Sequence, residues 1–265
     1  MIKDFLIILP THSSYLGVVN NFLELLKKNW PDCPFEIIVS ITGKDSELKG
    51  TKCIYNGKEA TLIDCLVNVA KKTKRKYYIS FLGDAFINSK IDSSLINDIL
   101  REIEDNNAAY CSLQCVKNYK RKKACGKFLR YINNLDRYSH NFTAFVASRD
   151  FLLNEMSKFK SDLEFEKRYL YQKDNYYFDN HLIVCRNYFN LLPSITKGEW
   201  DRINYKELRR DNPDIEFENR PLQSWKESFL FHIRGNVVHV LPPSARIITK
   251  RLSEWLFRIK FGVDN

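Results

Sequence analysis

The chain has 265 residues, 44% of them hydrophobic and 14% aromatic, enough to build a large core in one extended domain or two small ones. A formal charge of +10, from 42 basic and 32 acidic side chains, points towards anionic partners: nucleic acid, phosphorylated small molecules or acidic lipid. Seven cysteines, an odd number with no C-x-x-C pair and no histidines at zinc-finger spacing, speak against a disulfide framework and a structural zinc and for a reducing compartment.

The first apolar run, FLIIL at residues 5–9, is too short for the hydrophobic region of a signal peptide and is stopped by Pro10, so it reads as a buried strand. In SSYLGVVNNFLELLKKNW, Leu16, Val19, Leu23 and Leu26 recur at steps of three and four, which predicts a helix with Ser13 or Ser14 as its cap. WPDCP ends it, and FEIIVSI (residues 35–41) is a second strand, so the three elements form a parallel βαβ unit. TGKDSELKG follows as a loop. TLIDCLVNVAKK carries Leu62, Cys65, Leu66 and Val69 on one face and leads into a third strand, KYYISFL. DSSLINDILREIEDNN is a helix with Leu95, Ile99 and Ile103 inward and Asp92 or Ser93 as cap, and AAYCSLQCV is a further strand. This alternation over residues 1–116 predicts an open α/β sheet.

Beyond residue 116 the pattern is less regular. Residues 117–141 are polar, basic and tyrosine-rich and read as loop and short helix. FTAFVAS and HLIVC read as strands, RDFLLNEMSKF and SDLEFEKRYLYQ as helices, and residues 193–221 carry no clear period. The basic runs KKTKRK (71–76) and KNYKRKK (117–123) read first as solvated helix ends or loops. No window approaches the roughly 20 apolar residues of a membrane span, which restricts any membrane role to the surface.

Ligands of open α/β sheets bind outside the carboxyl ends of the strands. Pro10, Thr11 and His12 follow the first strand, Thr42, Gly43 and Asp45 the second, and Asp84 the third, so these residues are expected on one rim. Neither G-x-G-x-x-G after the first strand nor a G-x-x-x-x-G-K-[ST] loop is present. A phosphate there needs another counter-charge, and Asp84 can supply one by ligating Mg²⁺ or Mn²⁺ shared with substrate phosphates. Taken alone, Asp84 could equally cap a turn.

The residues FLIILPTHSSYLGVVNNFLELLKKNWPDCPFEIIVSI, YYISFLGDAFI, DLEFE and TKGEW, in that order across roughly residues 5–205, resemble bacterial GT-A-type glycosyltransferases of capsular polysaccharide and lipopolysaccharide biosynthesis. The resemblance implies an α/β fold with a GT-A-like open, mostly parallel sheet flanked by helices. It assigns residues 1–116 to nucleotide-sugar binding and 117–240 to acceptor binding within one domain. The family's acidic pair and following aromatic match 83–86, its W-x-F-E segment matches 163–166, and its K-G-x-W turn matches 197–200. Gly83 stands where the first acid of the pair is usual and Leu163 where the tryptophan is usual, which puts metal dependence in doubt and leaves Asp84 as the one metal-ligand candidate, alternatively touching sugar or ribose.

Glycosyl transfer needs a base for the acceptor hydroxyl. Glu164 and Glu166, two apart on a helix, point about 200° from one another, so one of them faces the cleft. Glu166 is favoured by its match to the family segment, with Glu164 as the alternative. Lys197 is a candidate cation for the diphosphate, Trp200 a stacking surface for a sugar, and His12 a contact for the nucleotide base. The other histidines read as structural. Residues 241–265 contain a basic amphipathic helix, with Ile248, Leu252, Trp255 and Ile259 on one stripe and five positive charges against Glu254. Such a helix binds an anionic bilayer or docks on the catalytic domain.

These features predict an enzyme at the cytoplasmic face of a bacterial membrane that takes a nucleotide-sugar donor and a glycan or lipid-linked acceptor. The alternatives are a nucleotidyltransferase, although LPTHSSYLG lacks the lysines and arginines expected of its first loop, and a basic membrane- or polyanion-binding module. No zinc finger, RNP-like motif or helix-turn-helix accompanies the charge, so no specific nucleic-acid partner is expected.

Overall fold

The structure, a computed structural model, describes residues 2–115, 123–133, 139–170, 176–229 and 232. Its first half contains β1 (Phe5–His12), α1 (Leu16–Asn29), β2 (Ile37–Thr42), β3 (Lys52–Tyr55), α2 (Leu62–Lys72), β4 (Tyr77–Phe81), β5 (Ala85–Ile87), α3 (Ser93–Asp105) and β6 (Tyr110–Ser112). The remainder contains β7 (Leu129–Asn133), β8 (Ala144–Ser148), α4 (Asp162–Leu170), β9 (Tyr177–Val184), β10 (Leu191–Pro193), β11 (Ile195–Thr196), β12 (Glu199–Trp200) and α5 (Arg202–Asp211).

Eight strands form one sheet in the order β3-β2-β1-β4-β8-β6-β9-β7, in which only β8 and β7 run against the others. This is the open, mostly parallel, helix-flanked layout that the GT-A-like resemblance implies. Strands from both halves of the chain share the sheet. The apolar runs of β1 and β4 follow from burial on two faces. Phe5, Ile7 and Leu9 of β1, with Tyr77, Ile79 and Phe81 of β4, pack against α1 and α3. Leu6, Ile8 and Tyr78 pack on the opposite side with α2 and Phe165 of α4.

Helix starts follow local chemistry. Thr61 and Asp64 form a reciprocal capping box on α2, and the Asp92 carboxylate accepts the Leu95 N–H at the start of α3, as expected. Ser13 and Ser14 do not cap α1. They belong to a 3-10 turn (Ser13–Tyr15) and Tyr15 precedes the helix without a side-chain cap bond.

Several expectations are corrected. β1 and β2 each run to the residues expected just beyond them, His12 and Thr42. The short edge strand β3 lies in a stretch with no expected element, and a three-residue β5, paired with β10, follows Asp84. β7 replaces the expected loop: it pairs with β9 through a register shift between Tyr131 and Asn133, which obscures its alternation. The helix expected over 149–159 is a π-helical turn (Phe151–Glu155) followed by a 3-10 turn (Met156–Lys158). The expected amphipathic helix at 241–265 lies outside the described residues.

Candidate functional site

The rim begins where β1 and β2 end together, with His12 paired opposite Thr42. The next residue, Gly43, has φ +92°, and a Cβ there would stand 2.5 Å from His12 Nε2 and 2.6 Å from Ser13 Oγ, so both backbone sign and space call for glycine. His12 Nδ1 accepts the Ser14 N–H at 3.1 Å and lies 2.8 Å from Ser14 Oγ. Because a backbone N–H can only donate, the neutral ring carries its proton on Nε2. Ser13 Oγ in turn accepts the Lys44 N–H at 2.9 Å, joining the loops that follow the two strands.

Asp84 sits on the same edge, three residues past the end of β4. Its backbone is pinned on both sides: Leu82 N–H donates to Thr143 O at 2.9 Å and Ser194 N–H donates to the Asp84 carbonyl at 2.9 Å. The half-buried carboxylate has no ionic partner among the described residues, and burial pushes its pKa up to about 6, opposed only by its own backbone N–H. A Cβ at Gly83 would approach Val19 Cγ2 of α1 to 2.8 Å. Close packing of helix on strand end thus leaves no room for the first acid of a pair. Among the described residues no three His, Cys, Asp or Glu side chains converge as a metal site. Among the described residues Asp84 would thus be the lone carboxylate ligand of a divalent cation at this edge, the rest of whose ligands would come from a bound molecule.

Glu166 borders this edge through the segment that precedes β8. Phe165 is fully buried in the aromatic layer behind α4, which turns the adjacent Glu166 towards the backbone of Phe142, whose N–H donates to Oε1 at 3.0 Å. The next residue, Thr143, accepts from Leu82, so a single short segment links the Glu166 carboxylate to the backbone beside Asp84. Burial raises the Glu166 pKa and Asp162 adds to it, while the Phe142 N–H opposes. Glu164 lies elsewhere: exposed, it accepts the Lys160 N–H at 2.7 Å while Ser161 Oγ accepts the Glu164 N–H, a cap for α4.

The remaining candidates divide. Pro10 and Thr11 are buried within β1. The buried Thr42 hydroxyl lies 2.5 Å from Ala60 O and 3.1 Å from Gly57 O, so it fixes the approach to α2. Asp45 is exposed in the loop beyond Gly43. Lys197 and Gly198, at φ +54° and +84°, form the two-residue turn between β11 and β12, and Lys197 is exposed. Trp200 is not a stacking surface. It is 1% exposed, lies parallel to Phe86 at 5.5 Å and donates Nε1–H to Glu218 O, so it belongs to the core beneath the turn. His140 and His181 meet at 2.8 Å inside the aromatic layer, with burial lowering the His181 pKa to about 4, as structural histidines would.

Two residues escaped sequence reading. Asp201, fully buried, accepts from Asn204 N–H, Ser228 Oγ–H and His232 Nε2 at 2.7–3.0 Å, which offsets the cost of its burial and ties Ser228 and His232 to the start of α5. Arg220 reaches back across the rim to Ser14. Asp201 directly follows TKGEW and precedes a helical stretch, a readable N-cap signal; Arg220 had no such signal.

No protein-family model matches the chain, and no curated protein matches it. Solved structures similar to it include S. aureus TarS, at 14% identity and TM-score 0.46 over 80% of this chain and 40% of that one. Others are a cytidylyltransferase from Leptospira borgpetersenii serovar Hardjo-bovis (12%, TM-score 0.42, 82% of this chain and 100% of that one) and the galactosyltransferase LgtC in complex with donor and acceptor sugar analogues (12%, TM-score 0.38, 63% and 66%). The chain thus spans about two fifths of the length of TarS.

Proposed function

We propose that the chain is a glycosyltransferase that moves a sugar from a nucleotide-sugar to a glycan or lipid-linked acceptor during assembly of a bacterial surface polysaccharide. The observation that carries this reading is the unpaired, pKa-raised Asp84 on the edge shared with His12 and Gly43. In this reading the nucleoside lies along the His12–Gly43 rim, where Nε2–H offers a donor to a base or ribose oxygen. Asp84 receives a sugar or ribose hydroxyl, or is the protein's one ligand to an Mg²⁺ or Mn²⁺ ion that screens the diphosphate leaving group. Lys197, exposed at its turn, supplies a mobile positive charge for the same diphosphate.

Glu166 is the proposed general base. Its raised pKa brings it closer to neutrality, where a base accepts a proton from an attacking hydroxyl most effectively, and Oε2 is left for that hydroxyl when Oε1 holds the Phe142 N–H. The basic, amphipathic residues 241–265 are proposed to hold the enzyme on anionic lipid at the cytoplasmic membrane face, near a lipid-linked acceptor.

Calorimetric titration with a panel of nucleoside diphosphates tests the reading. Micromolar binding of one base is expected, and a matching nucleotide-sugar should then yield the nucleoside diphosphate as product. Release of pyrophosphate would instead identify a nucleotidyltransferase, and a panel with no binding at all would leave a polyanion- or membrane-binding module.

A further inference from the structure

We infer that Arg220 is a positioning residue for the donor rim, acting on His12 through Ser14; this rests on the nucleotide-binding reading above. The Arg220 side chain is only 13% exposed. Its Nη2–H donates to the Ser14 carbonyl, a residue 206 positions away, its Nη1 lies 3.5 Å from Gly198 O, and its Nε–H donates to Glu218 Oε2 at 2.7 Å. The guanidinium also lies over the Tyr15 ring at 4.2 Å. One planar cation thereby joins the loop after β1 to the Lys197–Gly198 turn, a fork that a lysine ammonium cannot reproduce.

The consequence runs through Ser14. Its carbonyl is held by Arg220, and its N–H, on the opposite side of the residue, donates to His12 Nδ1 at 3.1 Å. His12 itself is exposed, and among the described residues its ring hydrogen-bonds to Ser14 alone. Clamping Ser14 therefore sets the direction in which His12 Nε2–H points over Gly43. Glu218 compensates the Arg220 charge, so Arg220 serves the rim by orientation, and Lys197 is the exposed cation of the turn.

A double-mutant cycle on nucleoside-diphosphate affinity tests this. His12→Ala and Arg220→Ala are each expected to weaken binding by about tenfold, and the double variant by about tenfold as well, because the second change removes nothing the first has left. Lys28→Ala, which breaks the 2.7 Å ion pair tethering Asp214 of the same segment to α1, should leave affinity unchanged and so separates orientation from general tethering. Should Arg220→Ala fail to fold, Arg220→Lys replaces it in the cycle, with an intermediate loss. Additive losses in the double variant, or an unaltered affinity in the Arg220 variant, would overturn the role of Arg220 while leaving the nucleotide reading intact. Failure of the unaltered protein to bind any nucleotide would overturn both.

Discussion

The two ends of the central sheet treat charge in opposite ways. At the amino ends of the strands Glu36 is paired with Lys52 at 2.7 Å and with Arg75 at 3.0 Å, and Lys76 with Glu104 at 2.9 Å. Bonds from Lys52 and Arg75 hold the Glu36 carboxyl below its ordinary pKa. At the carboxyl ends Asp84 is half-buried with no ion-pair partner among the described residues, and burial raises its pKa to about 6. The same sheet therefore carries a carboxylate that its surroundings satisfy and one that they leave wanting a partner. In the proposed function, Asp84 meets its partner when substrate arrives, in keeping with the clustering of perturbed carboxylates at functional sites. A cleft of about 570 Å³ also opens at the amino end, lined by Lys74 and Arg149 together with Asp4 and Asp150, so cations line it as well.

The largest expected effect separates the two edges by activity. Asp84→Asn and Glu166→Gln should each lower sugar transfer by about a hundredfold or more with an unchanged circular dichroism spectrum; near-normal turnover in both would remove the carboxyl edge from the chemistry. Next, Gly83→Asp, which restores the acid pair of the resembled family, should destabilise the fold by about 1–3 kcal/mol through its contact with Val19. A thermal melt identical to that of the unaltered protein would mean that packing is not what keeps this position small.

The third effect is one of sign. The folded Asp84 pKa lies above that of the unfolded chain, so the native state binds the proton more tightly, and stability falls as pH rises between about 4 and 6. Asp84→Asn should accordingly gain on the order of 1–2 kcal/mol at pH 7.5, a figure discounted for partial exposure, and lose that gain by pH 4. Glu36 has the opposite linkage: its folded pKa is depressed, its contribution is present above the unfolded value and disappears as pH falls through the folded one. Glu36→Gln should therefore cost stability at pH 7.5, by no more than about 1 kcal/mol for so exposed a pair, and leave transfer untouched. Melting curves of the two variants across pH 4–8 that moved in the same direction would contradict the contrast between the edges.

The strands buried on both faces were legible because β1, β2 and β4 appear as short, mostly apolar runs, and the helices because their apolar residues recur at three and four. Phase was less secure: the buried face of α1 centres on Val18, Phe22 and Leu25 alongside Val19 and Leu26. Short edge strands such as β3 bury too little to leave a pattern, and the register shift in β7 breaks the alternation that would have revealed it. Asp84 was legible as an acid at a strand end, since topology alone carries it to the carboxyl edge of the sheet. Trp200 misled because an aromatic residue in a tight turn looks the same whether it faces a ligand or, as here, Phe86. Arg220 was hidden for a different reason: its role depends on Ser14 and Gly198, and no local periodicity encodes a contact across most of the chain.

A crystal structure with a bound nucleoside diphosphate tests the central claim most directly. The account expects the base and ribose along His12 and Gly43 and the diphosphate between Asp84 and Lys197, with or without a bridging divalent cation. A nucleotide seated instead at the amino end, with its phosphates on Lys74 and Arg149, would contradict it.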